Sequence, residues 1–271
     1  MDDSRRIEND ERSHVPLDIV ELMLEEQTSM NDVDLSKLIA ESKARTLGTL
    51  KHKSSRQFSS YLETSNNFLR SQLGSKVQMT ILYVDLVGST HMSMILSLET
   101  LTTIIQTFVQ EMTIVVANSC GYILKYMGDA IIAYFPVTNE TDIHTSYKRA
   151  LSCAIRMLTT VGHGVNTVFR EFNFPELHIK IGIDSGVNAI IEYGSSSSIT
   201  KSHVDIIGYP MNLTAKITAM AMSDQAMVGN TTYQALDLQS RQMLTKLGLK
   251  RLDYIDYQTG DAYMVFSFSL D

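Results

Sequence analysis

Two segments decide the reading of this chain: Met79-Thr80-Ile81-Leu82-Tyr83-Val84-Asp85 and Ile123-Leu124-Lys125-Tyr126-Met127-Gly128-Asp129-Ala130-Ile131-Ile132-Ala133-Tyr134-Phe135. Apolar runs of this length, rich in Ile, Val, Tyr and Phe, read as buried strands. Residues 76–86 form the first strand. Residues 121–125 and 130–135 form a hairpin turned at Met127-Gly128-Asp129 and ended by Pro136. Between them, residues 97–118 read as a helix with Leu101, Ile104, Ile105, Phe108, Met112 and Val115 on its apolar side. Asp85 closes the first strand and Asp129 sits in the hairpin turn. The expectation is that the two carboxylates meet in space and hold divalent metal.

Working outward, residues 144–172 form another long helix and residues 177–186 a strand with Ile179, Ile181 and Ile183 in alternation. Residues 192–202, Ser-rich, read as a flexible loop. A short strand covers 204–207, and a helix entered through Pro210 covers 211–222. A short strand at 226–228, short helices at 231–238 and 240–247, and a closing hairpin of 249–254 with 262–268 complete this part. Upstream, residues 1–15 are charged and read as a disordered tail. Helices follow from Pro16, from Asp34 as a cap with Leu35, Leu38, Ile39, Leu47 and Leu50 on one side, and over 55–73, stopped by Gly74. Hairpins mixed with crossover helices predict an α+β fold, a ferredoxin-like, palm-type central antiparallel sheet flanked by helices. The expected organisation is a tail plus helical extension over 1–75 and one catalytic domain over 76–271. The extension is read as packing on the core or pairing with copies of itself.

The 271 residues are 44% hydrophobic, enough for one full core. The net charge of −7 gives no basic footprint for nucleic acid. Residues 2–34 are mainly acidic and 37–76 mainly basic, as solvated helix faces are. Cys120 and Cys153 have no metal-ligand spacing and read as buried thiols of a reducing compartment. No stretch reads as a membrane span or a signal peptide, so a cytoplasmic protein is expected. The fifteen methionines fall on apolar faces. His91, His144, His163, His178 and His203 lack ligand spacing.

Asp85 runs into Leu86-Val87-Gly88-Ser89-Thr90, where a strand end followed by Gly-Ser-Thr can turn backbone N–H groups toward phosphate. A carboxylate there brings Mg2+ to the same phosphates. Two carboxylates with glycine neighbours suit a two-metal phosphoryl-transfer site.

Val84-Asp85-Leu86-Val87-Gly88-Ser89-Thr90 and Lys125-Tyr126-Met127-Gly128-Asp129 resemble the metal-binding strands of class III nucleotidyl cyclases. Ile181-Gly182-Ile183-Asp184-Ser185-Gly186 is similar to the family's next core strand, with Asp184 where His is commoner. The segment from Asp205 through Gly208-Tyr209-Pro210-Met211-Asn212 to Lys216 is similar to its base-reading and transition-state segment. The resemblance covers residues 77–268 with these motifs in order. It implies that Asp85, Leu86 and Asp129 bind two Mg2+ or Mn2+ ions, and that Gly88, Ser89 and Thr90 meet the phosphates. It implies further that Lys125 and Asp205 read adenine, Asn212 positions the ribose, and Lys250 binds triphosphate. The family's Arg four residues after the Asn is Lys216 here, which keeps the charge without the planar fork.

The resemblance therefore implies an adenylate cyclase, converting ATP to 3',5'-cyclic AMP and pyrophosphate by in-line attack of the 3'-hydroxyl on the α-phosphate. It also implies a head-to-tail homodimer, with metals from one subunit and base-reading and transition-state residues from the other. A regulatory partner through residues 16–73 is a further expectation. The alternatives are a weak or inactive nucleotide-binding module of the same fold, motivated by Lys216, and a guanylate cyclase. A diguanylate cyclase lacks support because its Gly-Gly-acid-acid-Phe turn is missing.

Overall fold

A computed structural model describes residues 14–15, 35–52, 59–138, 142–194, 202–242, 244–246, 255, 260 and 262–270. Two helices come first after a short strand: β1 (His14–Val15), α1 (Leu35–His52) and α2 (Ser59–Ser71). The central elements are β2 (Lys76–Leu86), α3 (Ser89–Ile95), α4 (Leu98–Asn118), β3 (Tyr122–Tyr126) and β4 (Ala130–Pro136). Then follow α5 (Ile143–Thr159), a π-helical segment (Thr160–Val165), α6 (Asn166–Glu171), β5 (Ile179–Tyr193), β6 (His203–Ile207) and α7 (Tyr209–Met220). The chain closes with β7 (Gln225–Gly229), α8 (Asn230–Ala235), α9 (Leu238–Gln242), β8 (Thr245–Lys246) and β9 (Val265–Leu270).

The strands form one sheet in the order β1-β9-β7-β5-β2-β4-β3, with β6 on β5 and β8 on β9. β2 is central, antiparallel to both β4 and β5. Pairing is antiparallel throughout except β5 with β7 and β1 with β9. The parallel β5–β7 pair requires a crossover, which α7 supplies. β2 is buried on both faces, which is why it reads as an apolar run with little alternation. Leu82, Val84 and Leu86 face the main cluster, with Phe108 and Met112 of α4 and Leu151 and Ile155 of α5. Val77, Met79 and Ile81 face a second cluster with Leu69, Leu124, Tyr134, Val204 and Ile206.

The extension helices pack on the core. α1 buries Leu35 and Leu38 in the main cluster. It meets the π segment where Gly164 leaves room: a Cβ there would lie 2.5 Å from the Ser42 hydroxyl. α2 passes the free edge of β3, its Leu62 touching the main cluster and its Phe68 and Leu69 the second. Phe68, Tyr122 and Tyr134 stack with centroids 5.2 and 5.3 Å apart, and the Ser65 hydroxyl lies 3.0 Å from the Tyr134 hydroxyl. Covering β3 in this way removes an open edge.

Several expectations change. His14–Val15 pairs with Ser269–Leu270, so an ordered strand stands at the end of the expected tail. β5 runs to Tyr193, beyond the expected end at 186, because its second half pairs with β6. The helix expected over 240–247 stops at Gln242, and Thr245–Lys246 joins β9. α3 is additional. α4 is long and apolar enough to cross a membrane by length and composition, yet half its apolar window is buried in the protein and it carries the fully buried Glu111. Cys153 is buried, its thiol pushed up to about 12 by burial, whereas Cys120 is exposed. Cys120 adopts φ 57° where the chain reverses after α4. The helix expected from Pro16, the cap at Asp34, and the first strand of the closing hairpin lie outside the described residues; of that hairpin, the Ile255–Ala262 bridge is described.

Candidate active site

The register of the central strands assembles the carboxylates. Asp85 pairs with Ala130 across β2 and β4, so Asp129, one residue earlier in the turn, arrives beside the end of β2. The Leu86 N–H donates to the Asp129 carbonyl at 3.0 Å, and the Met127 N–H to the Ala130 carbonyl at 2.8 Å. Gly128, at φ 70°, supplies the left-handed residue this tight turn needs. Gly88, at φ 74°, turns the chain from β2 into α3. That turn lets the Ser89 hydroxyl donate to Asp129 Oδ2.

Asp85 has a cation opposite it. Lys180 of β5 is its cross-strand partner, with Nζ 3.0 Å from Asp85 Oδ2. Tyr83, two residues before Asp85, has its phenol pKa raised, first by burial, then by Asp85 and by Asp129.

The donor set fits a hard divalent cation. Among the described residues no group of three His, Cys, Asp or Glu side chains is placed to hold a metal. Two carboxylates, Asp85 and Asp129, are the side-chain donors at this sheet end. Mg2+ is commonly held by one or two carboxylates, with waters and substrate phosphates completing its shell. Both carboxylates are held here by groups that a stronger ligand can displace: an ammonium on Asp85 and a hydroxyl on Asp129.

A second constellation forms where β6 folds back on β5. Ile191 pairs with Asp205, and Val204 and Ile206 bury beside Leu124 of β3. The β3–β4 register slips between Ile123 and Lys125, a bulge-type irregularity that re-aims the Lys125 side chain. Lys125 Nζ lies 2.7 and 3.0 Å from the two oxygens of Asp205. Asp205 Oδ1 also accepts from the Ile206 N–H at 2.9 Å. Both members remain accessible, at 32% and 16% of side-chain exposure.

α7 carries the third group. Leu213 and Ile217 bury one face, while Asn212 and Lys216, one turn apart, are exposed on the other. Gly182 of β5 lies beneath α7 with no room for a side chain, since Thr214 and Thr218 fill the space. Asp184 is buried and accepts from the Tyr263 hydroxyl at 2.8 Å, which in turn accepts from the Thr231 N–H at 3.0 Å. It ties β5 to the end of the chain. Lys250 lies outside the described residues.

Lys180 and Tyr83 are missed by sequence reading. Alternation places Lys180 between Ile179 and Ile181, on the face away from the main cluster. Its pairing with Asp85 depends on a register that only the fold defines.

Strand order and register first define the class: a palm-type α+β domain. The model of the adenylate and guanylate cyclase catalytic domain matches residues 72–255, more than half of the chain, and the chain belongs to that family. It is 27% identical over 166 residues to an Escherichia coli protein named cytidylate cyclase, covering 58% of this chain and 35% of that one. The chain spans less than half the length of the curated relatives it matches. Among solved structures, the guanylyl cyclase Cya2 superposes with a TM-score of 0.59 at 22% identity, covering 73% of this chain and 99% of that one. The adenylyl cyclase CyaB from P. aeruginosa superposes with a TM-score of 0.60 at 18% identity, covering 73% and 95%. At these identities the two structures speak for the fold.

Proposed function

We propose that the chain is a nucleotidyl cyclase specific for a base with an amine at purine C6 or pyrimidine C4, acting on ATP to give 3',5'-cyclic AMP and pyrophosphate. The observation that carries this reading is the Lys125–Asp205 pair, held together yet accessible. Asp205 accepts from an exocyclic amine, and Lys125 donates to the adjacent ring nitrogen. Adenine offers that amine and that nitrogen side by side. Guanine puts a keto oxygen where the amine stands, and the Asp205 carboxylate repels it.

Divalent metal held by Asp85, Asp129 and the Leu86 carbonyl would lower the pKa of the attacking 3'-hydroxyl and neutralise the polyphosphate leaving group. The other steps fall to side chains and backbone. Gly88, Ser89 and Thr90 receive phosphate, Lys250 holds the triphosphate, and Asn212 orients the ribose. Lys216 faces the α-phosphate, where charge builds in the transition state. Catalysis is then mainly positioning and charge stabilisation. Metal ligands come from one subunit of a homodimer, and Lys125, Asp205, Asn212 and Lys216 from the other, giving two equivalent sites.

A second substrate has a specific observation behind it. Cytosine also presents an amine next to an unprotonated ring nitrogen, so CTP satisfies the same pair, and the 27%-identical relative is named a cytidylate cyclase. A non-catalytic nucleotide-binding module is the rival from another class, and Lys216 is its motive. The purified protein with ATP and Mn2+ should form cyclic AMP. No product from a sample shown to be dimeric, and none after Lys216→Arg, ends the enzyme reading in favour of the module.

A further inference from the structure

Lys180 is a cation placed at a site meant for cations. Its ammonium lies 3.0 Å from Asp85 Oδ2, and no function proposed above uses it. The contact is not a chance surface encounter. Asp85 and Lys180 are directly opposed in the β2–β5 ladder, so their side chains share one face. Both side chains are about three-quarters buried, at 24% and 27% exposure. Asp129 precedes Ala130, the residue paired with Asp85 across β2 and β4, so two carboxylates are gathered at this sheet end.

We infer that Lys180 is the resident counter-ion of the metal site, and that metal loading is an exchange in which the ammonium leaves Asp85 as a divalent cation arrives. This rests on the metal-site reading above. The physical reason is charge balance. Two carboxylates held close in a part-buried place repel, and one ammonium lowers that cost while the site holds no metal. A divalent cation neutralises both carboxylates, so it displaces the monovalent one. A lysine suits the exchange because it is a single-point donor on a flexible stem, whereas an arginine grips a carboxylate with a two-pronged fork. The displaced ammonium then becomes a free positive charge on the phosphate side of the sheet end. Resting neutralisation and metal uptake are thus coupled through one side chain, which makes Lys180 a positioning residue acting through Asp85.

The test is a titration of the full chain with Mn2+ alone, without nucleotide, reading free Mn2+ by electron paramagnetic resonance. Lys180→Met, and Lys180→Gln as a second variant, should tighten Mn2+ binding by about three- to tenfold, the scale of a partly buried ion pair. Lys180→Arg should loosen it below the wild-type affinity. Unchanged or weaker binding in both neutral variants overturns the exchange. Equal binding by the Lys and Arg forms also overturns it, because long-range charge would then account for the effect. Asp85→Ala separates the two levels of the argument. If Mn2+ binding survives that substitution unchanged, the metal-site reading itself fails. If binding is lost with Asp85 but indifferent to Lys180, only the exchange fails.

Discussion

Two ion pairs, one in the helical layer and one at the sheet end, use the same chemistry to opposite effect. Arg45 of α1 meets Glu111 of α4 through two parallel contacts, Nε to Oε1 at 2.9 Å and Nη2 to Oε2 at 2.8 Å. Their side chains are 12% and 0% exposed. Burial works against the Arg45 charge, and Glu111 together with Glu41 outweighs it, so the guanidinium pKa is raised. Lys180 Nζ lies 3.0 Å from Asp85 Oδ2, with water access to both side chains. A bidentate, dry pair fixes geometry, and here it bolts the N-terminal helix to the core. A water-accessible lysine pair is more easily replaced, as the proposed metal and nucleotide site would require. Lys125–Asp205 is likewise open to water, at 32% and 16% exposure, although its one ammonium reaches both carboxylate oxygens.

The largest test of this contrast is Arg45→Met. It leaves the buried Glu111 carboxylate without its cation, with the Gln110 amide 3.4 Å away, and should cost about 3–5 kcal/mol in urea unfolding. The double variant Arg45→Met/Glu111→Leu should recover most of that loss, since an apolar replacement of both partners is often neutral. Failure of the recovery would mean that the pair itself, not the orphaned charge, stabilises the fold. Next in size is Asp129→Ala, which should lower kcat by about 100-fold or more while unfolding stability moves by no more than about 1 kcal/mol. A folded variant with near-normal turnover would remove Asp129 from the site.

A smaller effect is expected from Lys125→Ala. ATP should lose about 10- to 100-fold of its advantage over GTP in kcat/KM, the size of one or two charge-assisted hydrogen bonds. An unaltered ratio would take Lys125 out of base reading. The smallest effect is spectroscopic and compares two tyrosines. Tyr83 and Tyr134 both have raised pKa values, Tyr134 first through burial and Tyr83 also through the two carboxylates. Native protein therefore keeps phenolic protons that the unfolded chain loses above about pH 10. Stability from these groups is fully present below pH 10 and falls as pH rises beyond it. Ca2+, which stays soluble there, should lower the Tyr83 pKa and leave Tyr134 unmoved, read by absorbance at 295 nm in Tyr83→Phe and Tyr134→Phe variants. A shift confined to Tyr134 would place the cation elsewhere.

Much of the sheet was legible because its signals are local. The runs ending at Asp85 and flanking Asp129, and the 3.6-residue period of α4, needed no tertiary information. The meeting of the carboxylates was legible only as a guess, since it depends on the Asp85–Ala130 register. Lys180 was illegible for the same reason. β5 beyond residue 186 was hidden because its Ala189, Ile190 and Ile191 precede a polar stretch that reads as loop. The π segment at Thr160–Val165, which meets α1 at Gly164, carries no local signal in the sequence, and its partner residues lie far away along the chain. The docking of α1 through Arg45 could not be read either, because a lone arginine on a helix normally signals a solvated face.

The central claim is that a nucleoside triphosphate whose base has its amine at purine C6 or pyrimidine C4 is cyclised at this site. Cyclic nucleotide formation from ATP, CTP, GTP and UTP, each with Mn2+ and measured on the dimeric protein, tests it most directly. The account predicts turnover of ATP, with CTP the sole competitor, and GTP and UTP slower by about tenfold or more, the worth of one hydrogen bond to a charged group. Cyclisation of GTP or UTP at the rate of ATP would contradict it.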